Sequence, residues 1–377
     1  MFLLVALVGV LLLTFFVLAV ICDEFFVPAL DVIAEKWKLP SDVAGATLMA
    51  IGSSAPELAI AFIAVFRGVG HTDIGAGTIV GSAIFNILVI TGAAAIFKTA
   101  KLRWQPVARD LFFYSLSIIT LSFVFWDGRV TITESLLFVV LYVVYLGVLS
   151  QWSRLVPAQI EVSSIDGKVV HNTNPDENPI DILEQSTEKM TKEVTLLSTV
   201  RYILSFVIPD VTKASKKVEY STAVLAFTAA TVWIGLLSFV LVEVAVHIAD
   251  ILHIPAAIIA LTVIAAGTSI PDLLASIAVA KQGRGDMAVS NGIGSNIFDI
   301  LIGLGMPWAV ILTLNGGVVK VSTDNLLASV FLLLATVIAI FTLLILRKWV
   351  LGSKAGWLLI VLYVAYLAYS AVQLIRM

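Results

Sequence analysis

The chain has 377 residues, 60% hydrophobic and 13% charged, with a formal net charge of −3. A soluble domain carries about 45–50% apolar and about 25% charged residues, so these proportions exclude an ordinary water-soluble fold and point to lipid. The single cysteine, Cys22, and four scattered histidines exclude a disulfide framework, a thiolate metal centre and an HExxH zinc site, and no basic patch suggests nucleic acid.

A helix needs about 20 apolar residues to cross the hydrocarbon core. In chain order such runs cover 1–22, 42–67, 74–97, 108–126 and 131–151, then 220–247, 254–281, 287–312, 326–346 and 355–375. The first lacks a basic leader and a small-residue cleavage site before Asp23 and Glu24, so it reads as a spanning helix rather than a signal peptide. The polar segment 152–219 divides the runs five and five. Within it, Glu161–Lys192 has the composition of a flexible linker. Val194–Val211 turns apolar around Arg201 but is too short to span, and reads as an interfacial helix. The expected fold is an all-α polytopic membrane protein of about ten transmembrane helices. Its expected parts are a first transmembrane half (1–151), a cytosolic linker (152–219) and a second transmembrane half (220–377).

Charge orients the chain. With both termini outside, 19 of the 23 Lys and Arg fall on the side of the central segment, leaving only Arg67, Arg129, Lys320 and Arg376 opposite. Positive charge gathers on the cytosolic side, so the central segment is expected inside and the termini extracytoplasmic.

A two-part motif occurs once in each half. TLMAIGSSAPEL (Thr47–Leu58) is followed by GSAIFNIL (Gly81–Leu88); TVIAAGTSIPDL (Thr262–Leu273) is followed by GSNIFDIL (Gly294–Leu301). Six of twelve and six of eight positions are identical, aligning Glu57 with Asp272 and Asn86 with Asp299. Five spans per half is an odd number, so the second copy enters the membrane from the opposite side. Such inverted five-helix repeats place binding sites near the bilayer midplane.

Each first segment carries a proline that removes a backbone donor and clashes with the preceding turn, so a break is expected at Pro56 and at Pro271. Carbonyls freed in lipid need a partner, and a dehydrated cation can be one. Glu57 and Asp272 directly follow the prolines, and no Lys or Arg lies mid-span in these helices to neutralise them. In the second segments, a spacing of four puts Ser82 with Asn86, and Ser295 with Asp299, on one helix face each. With Ser53, Ser54, Thr268 and Ser269 the donor set is entirely oxygen, suited to Ca²⁺ with about 6–8 ligands at about 2.3–2.6 Å. Na⁺ is of nearly the same size. Three ionised carboxylates would balance a dication plus a monocation, a hint of co-transport.

Competing readings exist. The glycines at Gly77, Gly81 and Gly294 can serve close helix packing. Single hydroxyls in membrane helices commonly bond their own helix. Asn86 can be interhelical glue rather than a ligand. Glu243 and Glu134 lie near helix ends and are expected to be solvated. GRGD (Gly283–Asp286) superficially matches the GxGD of intramembrane proteases but has no mirrored Tyr-Asp partner, and a cation channel is the other non-exchanger reading.

GSSAPEL with TIVGSAIFNIL, and AAGTSIPDLLASIAVAKQGRGDMAVSNGIGSNIFDILIG, resemble the two α-repeats of the Ca²⁺/cation antiporter superfamily, in particular its K⁺-dependent Na⁺/Ca²⁺ exchangers; FVIPDVTK (Phe206–Lys213) resembles the same branch. The resemblance implies alternating access in which a helix pair slides past a core. It implies Glu57 and Asp272 as central Ca²⁺ ligands, the Ser and Thr hydroxyls named above completing the Ca²⁺ and Na⁺ sites, and Asp299 as the residue of K⁺ dependence. It also implies a transporter without cofactor or catalytic chemistry, whose partners are inorganic cations and the bilayer, the plasma membrane being the expected location. K⁺-independent Na⁺/Ca²⁺ exchange and H⁺/Ca²⁺ exchange are the alternatives within the superfamily. The chain departs from animal members in lacking their long cytosolic loop and large extracellular segment.

Overall fold

A computed structural model of the chain describes residues 2–36, 54–68, 72–102, 104–155, 195–211, 220–281, 285–321 and 323–376. The Glu161–Lys192 linker, Ser53, the Thr47–Gly52 part of the first motif and part of GRGD lie outside the described residues.

The first half opens with α1 (Phe2–Ile21), which passes through a π-helical turn at Cys22–Phe26 into α2 (Val27–Lys36). Then come α3 (Ala55–Arg67), and α4 (Thr72–Phe85) joined through a π turn at Asn86–Ile90 to α5 (Thr91–Phe97). The half closes with α6 (Trp104–Val124) and α7 (Ile132–Leu155). The short α8 (Thr195–Leu204) precedes the second half. That half begins with α9 (Tyr220–Leu252), followed by α10 (Ala256–Ile259), a π turn at Ala260–Ile264, and α11 (Ala265–Thr268). It continues with α12 (Ile270–Lys281), then α13 (Gly285–Phe298), a π turn at Asp299–Leu304, and α14 (Gly305–Asn315). It ends with α15 (Thr323–Leu346) and α16 (Ser353–Arg376).

Among the described residues, eight helices are long and apolar enough to cross a membrane. The two other apolar runs depart from the single spans expected of them. The run 254–281 is broken at Ser269 into Ala256–Thr268 and α12. The run 42–67 is described only from Ser54, the N-cap of α3, whose backbone angles match those of Ser269. The first span also reaches further than its apolar run, extending over Leu3–Ala29 and so enclosing Asp23 and Glu24.

The two halves exchange under an inverted symmetry that the short strands make visible. β1 (Ala100–Lys101) pairs antiparallel with β4 (Val350–Leu351), and β2 (Arg129–Val130) with β3 (Val319–Lys320). β1 and β3 hold equivalent places in the two halves, as do β2 and β4, so each pair maps onto the other. The bonds beside them repeat the relation: Leu102 N–H donates to the Trp349 carbonyl at 2.8 Å and Val321 N–H to the Gly128 carbonyl at 3.0 Å. The ribbons tie together loops that the charge pattern puts on the same side of the membrane. The α7 start shows how local sequence sets an end: Thr131 N–H donates to Glu134 Oε2 at 2.8 Å and Glu134 N–H to Thr131 Oγ1 at 3.4 Å, a reciprocal capping box. Glu134 is thus a helix cap rather than a merely solvated acid. Glu243 departs from expectation as well, pairing with Arg67, whose guanidinium lies over the Phe239 ring.

Helices approach closely where glycine removes the side chain. A Cβ on Gly81 would collide with the Leu261 carbonyl oxygen, which also accepts from Tyr366 Oη at 3.2 Å. Gly92 and Gly356 face one another, and a Cβ on either would meet the other's carbonyl within 3 Å. In the core, Trp308 stacks edge-on between Phe125 and Phe138 at centroid distances of 6.1 and 5.9 Å. Below this core α8, ten residues long and too short to span, lies against α1. Its Tyr202 and Ile203, with the following Phe206 and Val207, are exposed, while Leu204 and Ile208 are buried. Arg201 turns inward, bonding Glu24 at 2.8 Å and lying 3.6 Å from Asp210.

That ion network makes a stability prediction. Glu24 is buried, so Arg201→Gln should leave an uncompensated charge and cost about 3 kcal/mol, seen as a lowered melting midpoint in detergent micelles. The Arg201→Gln/Glu24→Gln double variant should recover more than half of the loss.

Candidate ion-binding site

The site is built on two helix starts of the same form. Ser54 has φ −94° and ψ 10°, and Ser269 has φ −89° and ψ 3°; each is followed by one residue, a proline and an acid. The helices restart there identically, with Leu58 N–H donating to the Ser54 carbonyl and Leu273 N–H to the Ser269 carbonyl, both at 3.0 Å. The break expected at Pro271 is therefore present as one residue, Ser269, outside helical geometry between two helices, whereas the stretch before Ser54 lies outside the described residues. Glu57 and Asp272 occupy the first turns of α3 and α12, where the positive end of the helix dipole favours a carboxylate. Both are buried, at 1% and 3% exposure.

The second motif segments supply the facing wall. α4 and α13 are fourteen residues each, and each passes into a π turn at the aligned position, Asn86 in one half and Asp299 in the other. A π turn re-aims the side chains that follow it, and such turns concentrate at functional sites. Ser82, Asn86, Ser295 and Asp299 are all buried. Two contacts cross between the halves: Ser82 Oγ and Ser269 Oγ are 2.8 Å apart, and Asn86 Nδ2 donates to Ser295 Oγ at 3.3 Å.

The charges lie close together. Asp272 acts electrostatically on Glu57, and both act on Asp299, with no basic side chain among the charges on Glu57 and Asp299. The hydroxyls of Thr268 and Ser82 stand beside the Glu57 carboxylate, and that of Ser54 beside Asp299. Thr268 Oγ1 donates backward to the Ile264 carbonyl at 3.1 Å, which leaves its lone pairs free to face a cation. Among the described residues, both oxygens of Glu57, both of Asp299, Asn86 Oδ1 and Ser54 Oγ are buried with no hydrogen-bond partner. Ser54 holds the N-cap position without capping, so its hydroxyl is not consumed by the helix. No three acidic, His or Cys side chains among the described residues converge closely enough to hold a metal by themselves. Hydroxyl, amide and carbonyl oxygens must therefore complete any coordination shell. Ser53 lies outside the described residues.

The structure adds a residue that the motif reading passed over. Asn296 accepts from Asn86 Nδ2 at 2.9 Å and donates to the Ala83 carbonyl at 3.1 Å and to Tyr114 Oη at 3.0 Å. Its aligned position in the first half is Ala83, so the repeat comparison scores it as a mismatch. That mismatch was the available signal, a polar gain in a buried helix. Asn86 is then both glue and candidate ligand: its amide nitrogen bridges the halves while Oδ1 stays without a partner.

Asn296→Ala would strand buried groups on Asn86, Ala83 and Tyr114, at about 1–3 kcal/mol for each group left unsatisfied. The expected result is a lowered melting midpoint together with weaker cation binding, because Asn86 loses its orientation. Tyr114→Phe, which removes one contact, should show the smaller loss of the two.

With this geometry in place, comparison with known proteins is informative. The family model described as "Sodium/calcium exchanger protein" matches residues 7–151 and 222–372, the two halves on either side of the central segment. Sodium/potassium/calcium exchanger 4 of Mus musculus is 30% identical over an alignment covering 94% of this chain and 79% of the relative. Sodium/potassium/calcium exchanger 3 of Homo sapiens is likewise 30% identical, covering 94% and 78%. Among solved structures, the sodium-calcium exchanger NCX_Mj superposes with a TM-score of 0.56 at 23% identity, covering 97% of this chain and 98% of that one. The H⁺/Ca²⁺ exchanger CAX gives a TM-score of 0.62 at 15% identity, covering 97% and 83%. These last two likenesses speak for the fold. A family-model match over both halves, with relatives 30% identical across 94% of the chain, places the chain in the sodium/calcium exchanger family.

Proposed function

We propose that the protein is a secondary active antiporter that exchanges Na⁺ for Ca²⁺ by alternating access, carrying K⁺ with Ca²⁺. The observation that carries this reading is a set of buried oxygens from both halves, on Glu57, Asp299, Asn86 and Ser54, with no hydrogen-bond partner among the described residues. A carboxylate held in the membrane interior costs several kcal/mol unless it is paired. With no basic side chain acting on Glu57 or Asp299, the pairing charge is the transported ion itself.

In this reading Glu57 and Asp272 hold Ca²⁺ between them, one from each half, with Thr268, Ser82 and Ser269 supplying neutral oxygens. Ser53, Ser54 and Ser295 extend the set on the mirrored side, where Na⁺ takes the same donors. Asn86 and Asp299, equivalent in the repeat, differ by one charge, and Asp299 is the position at which K⁺ enters the balance. The relatives named above as sodium/potassium/calcium exchangers support K⁺ as the third ion. Only one side can open at a time. The pair α1 and α9, packed on each other, is the moving element that slides past the rest, with Phe15 seated on the side-chain-free surface of Gly267. The chain is multi-pass, with the termini extracytoplasmic, the central segment cytosolic and the plasma membrane as its location. No catalytic group or cofactor enters this cycle.

The test is ⁴⁵Ca²⁺ uptake into Na⁺-loaded proteoliposomes, with the outward Na⁺ gradient intact or collapsed and with external K⁺ present or absent. Uptake should need both the gradient and K⁺; uptake indifferent to Na⁺ would refute the exchanger reading. Glu57→Gln and Asp272→Asn should each reduce exchange to below about a hundredth, the loss of a buried charged ligand being worth about 3 kcal/mol or more. Asp299→Asn should abolish the K⁺ requirement while leaving Na⁺-driven uptake; an equal loss with and without K⁺ would make Asp299 a general ligand.

A further inference from the structure

The first span carries two adjacent acids, and the fold treats them differently. Glu24 is buried and bonded to Arg201 at 2.8 Å. Asp23 is exposed, although it lies within the span Leu3–Ala29 and its neighbours Cys22, Glu24, Phe25 and Phe26 are all buried. The charges that act on Asp23 are Asp272 and Glu24, with no basic side chain among them. Cys22, one residue before it, feels Glu57 as well as Asp272. The π turn Cys22–Phe26 therefore brings the helix past the mirrored breaks, with Cys22 turned inward and Asp23 at the edge. Phe15, two turns earlier, lies on Gly267 and fixes the level at which α1 passes α11.

An exposed carboxylate inside a spanning segment cannot face acyl chains without a counter-charge. Glu24 has one, whereas the charges acting on Asp23 among the described residues are those of two further acids. Water and a soluble cation are what remain, so this edge of α1 borders an aqueous path. Glu57, whose charge reaches Cys22 together with that of Asp272, has two buried oxygens with no hydrogen-bond partner among the described residues.

We propose that Asp23 is an outer cation contact, holding a hydrated alkali or alkaline-earth ion at the mouth of the site and passing it to Asp272. The placement of Asp23 is independent of which ions are exchanged; the hand-over to Asp272 rests on the ion-site reading above. A carboxylate in this role raises the local cation concentration and takes part in partial dehydration, so it acts on apparent affinity more than on maximal rate.

Two measurements test it in proteoliposomes holding the full chain. In the first, the Ca²⁺ dependence of uptake is compared for the native chain, Asp23→Asn and Asp23→Glu. Asp23→Asn should raise KM about fivefold with a much smaller change in Vmax, the size expected for one charge contact in a wet site. The difference should shrink as ionic strength rises to about 1 M, and Asp23→Glu should restore KM. In the second, D23C is made in a Cys22→Ser background and exposed to a membrane-impermeant thiosulfonate with and without Ca²⁺. Labelling should occur and should slow in Ca²⁺. An unchanged KM in Asp23→Asn, an unreactive D23C, or labelling that Ca²⁺ does not slow would each overturn the proposal. Labelling is read without transport, so a silent Glu57→Gln in the uptake assay would refute the ion-site reading while the D23C result still judged Asp23.

Discussion

A carboxylate in the interior of a membrane protein must be given a counter-charge, and nearly every unusual feature of this chain answers to that demand. Glu57, Asp272 and Asp299 are buried and mutually repulsive, and hydroxyls rather than Lys or Arg stand beside Glu57 and Asp299. Had an arginine been packed among them, as Arg201 is against Glu24, the result would be a structural ion pair with little reason to admit a metal. Glu57 and Asp299 keep carboxylate oxygens without hydrogen-bond partners among the described residues, which is what the proposed site for a reversibly bound cation requires.

The helix breaks make such a site possible. A continuous helix consumes its own carbonyls, and its side chains lie against neighbouring helices. A proline at the second position of α3 and α12 begins each helix just after Ser54 and Ser269, putting an acid in the first turn of each. The π turns at Asn86 and Asp299 do the complementary work on the facing helices, shifting side-chain direction where the amide and the acid are needed. Since one break comes from each half, the inverted repeat builds a site from two copies of a device that neither half completes alone. Where the halves differ, Asn86 against Asp299 and Ala83 against Asn296, charge is exchanged for an amide network anchored on Tyr114. The site is thus symmetric in its breaks and asymmetric in its charge.

Packing keeps the pieces in register without a water-driven core. Apolar side chains gain little from leaving lipid for protein, so helices are held by close approach of small residues and by polar contacts. Gly81 on the Leu261 carbonyl and Gly92 against Gly356 are such approaches. The β1–β4 and β2–β3 ribbons add a hydrogen-bonded tie at each end of the bundle. The Glu24–Arg201–Asp210 network fastens the helix before the second half onto the first span, so α8 and α1 are coupled through a buried charge.

The sequence by itself determined the membrane class, the two stretches that the family model matches, the helix break before Pro271 and the acids of the repeat. These follow from local rules: apolar run length, proline's missing donor, and the cost of an unpaired acid in lipid. It also foretold, through the repeat, which residues correspond. Tertiary structure alone decided which acids stay without a protein partner. Glu24 and Asp23 are adjacent in the chain, yet one meets Arg201 from a segment far along the sequence and the other remains exposed. Glu243 resembled a solvated end residue until Arg67 was brought beside it. Asn296 looked like a lapse in the repeat until Asn86, Ala83 and Tyr114 were seen to converge on it. The reason is common to all three. Periodicity and spacing report which face of its own helix a residue occupies, whereas the partner of a buried polar group is set by where other helices cross it, and that is a property of the assembled bundle.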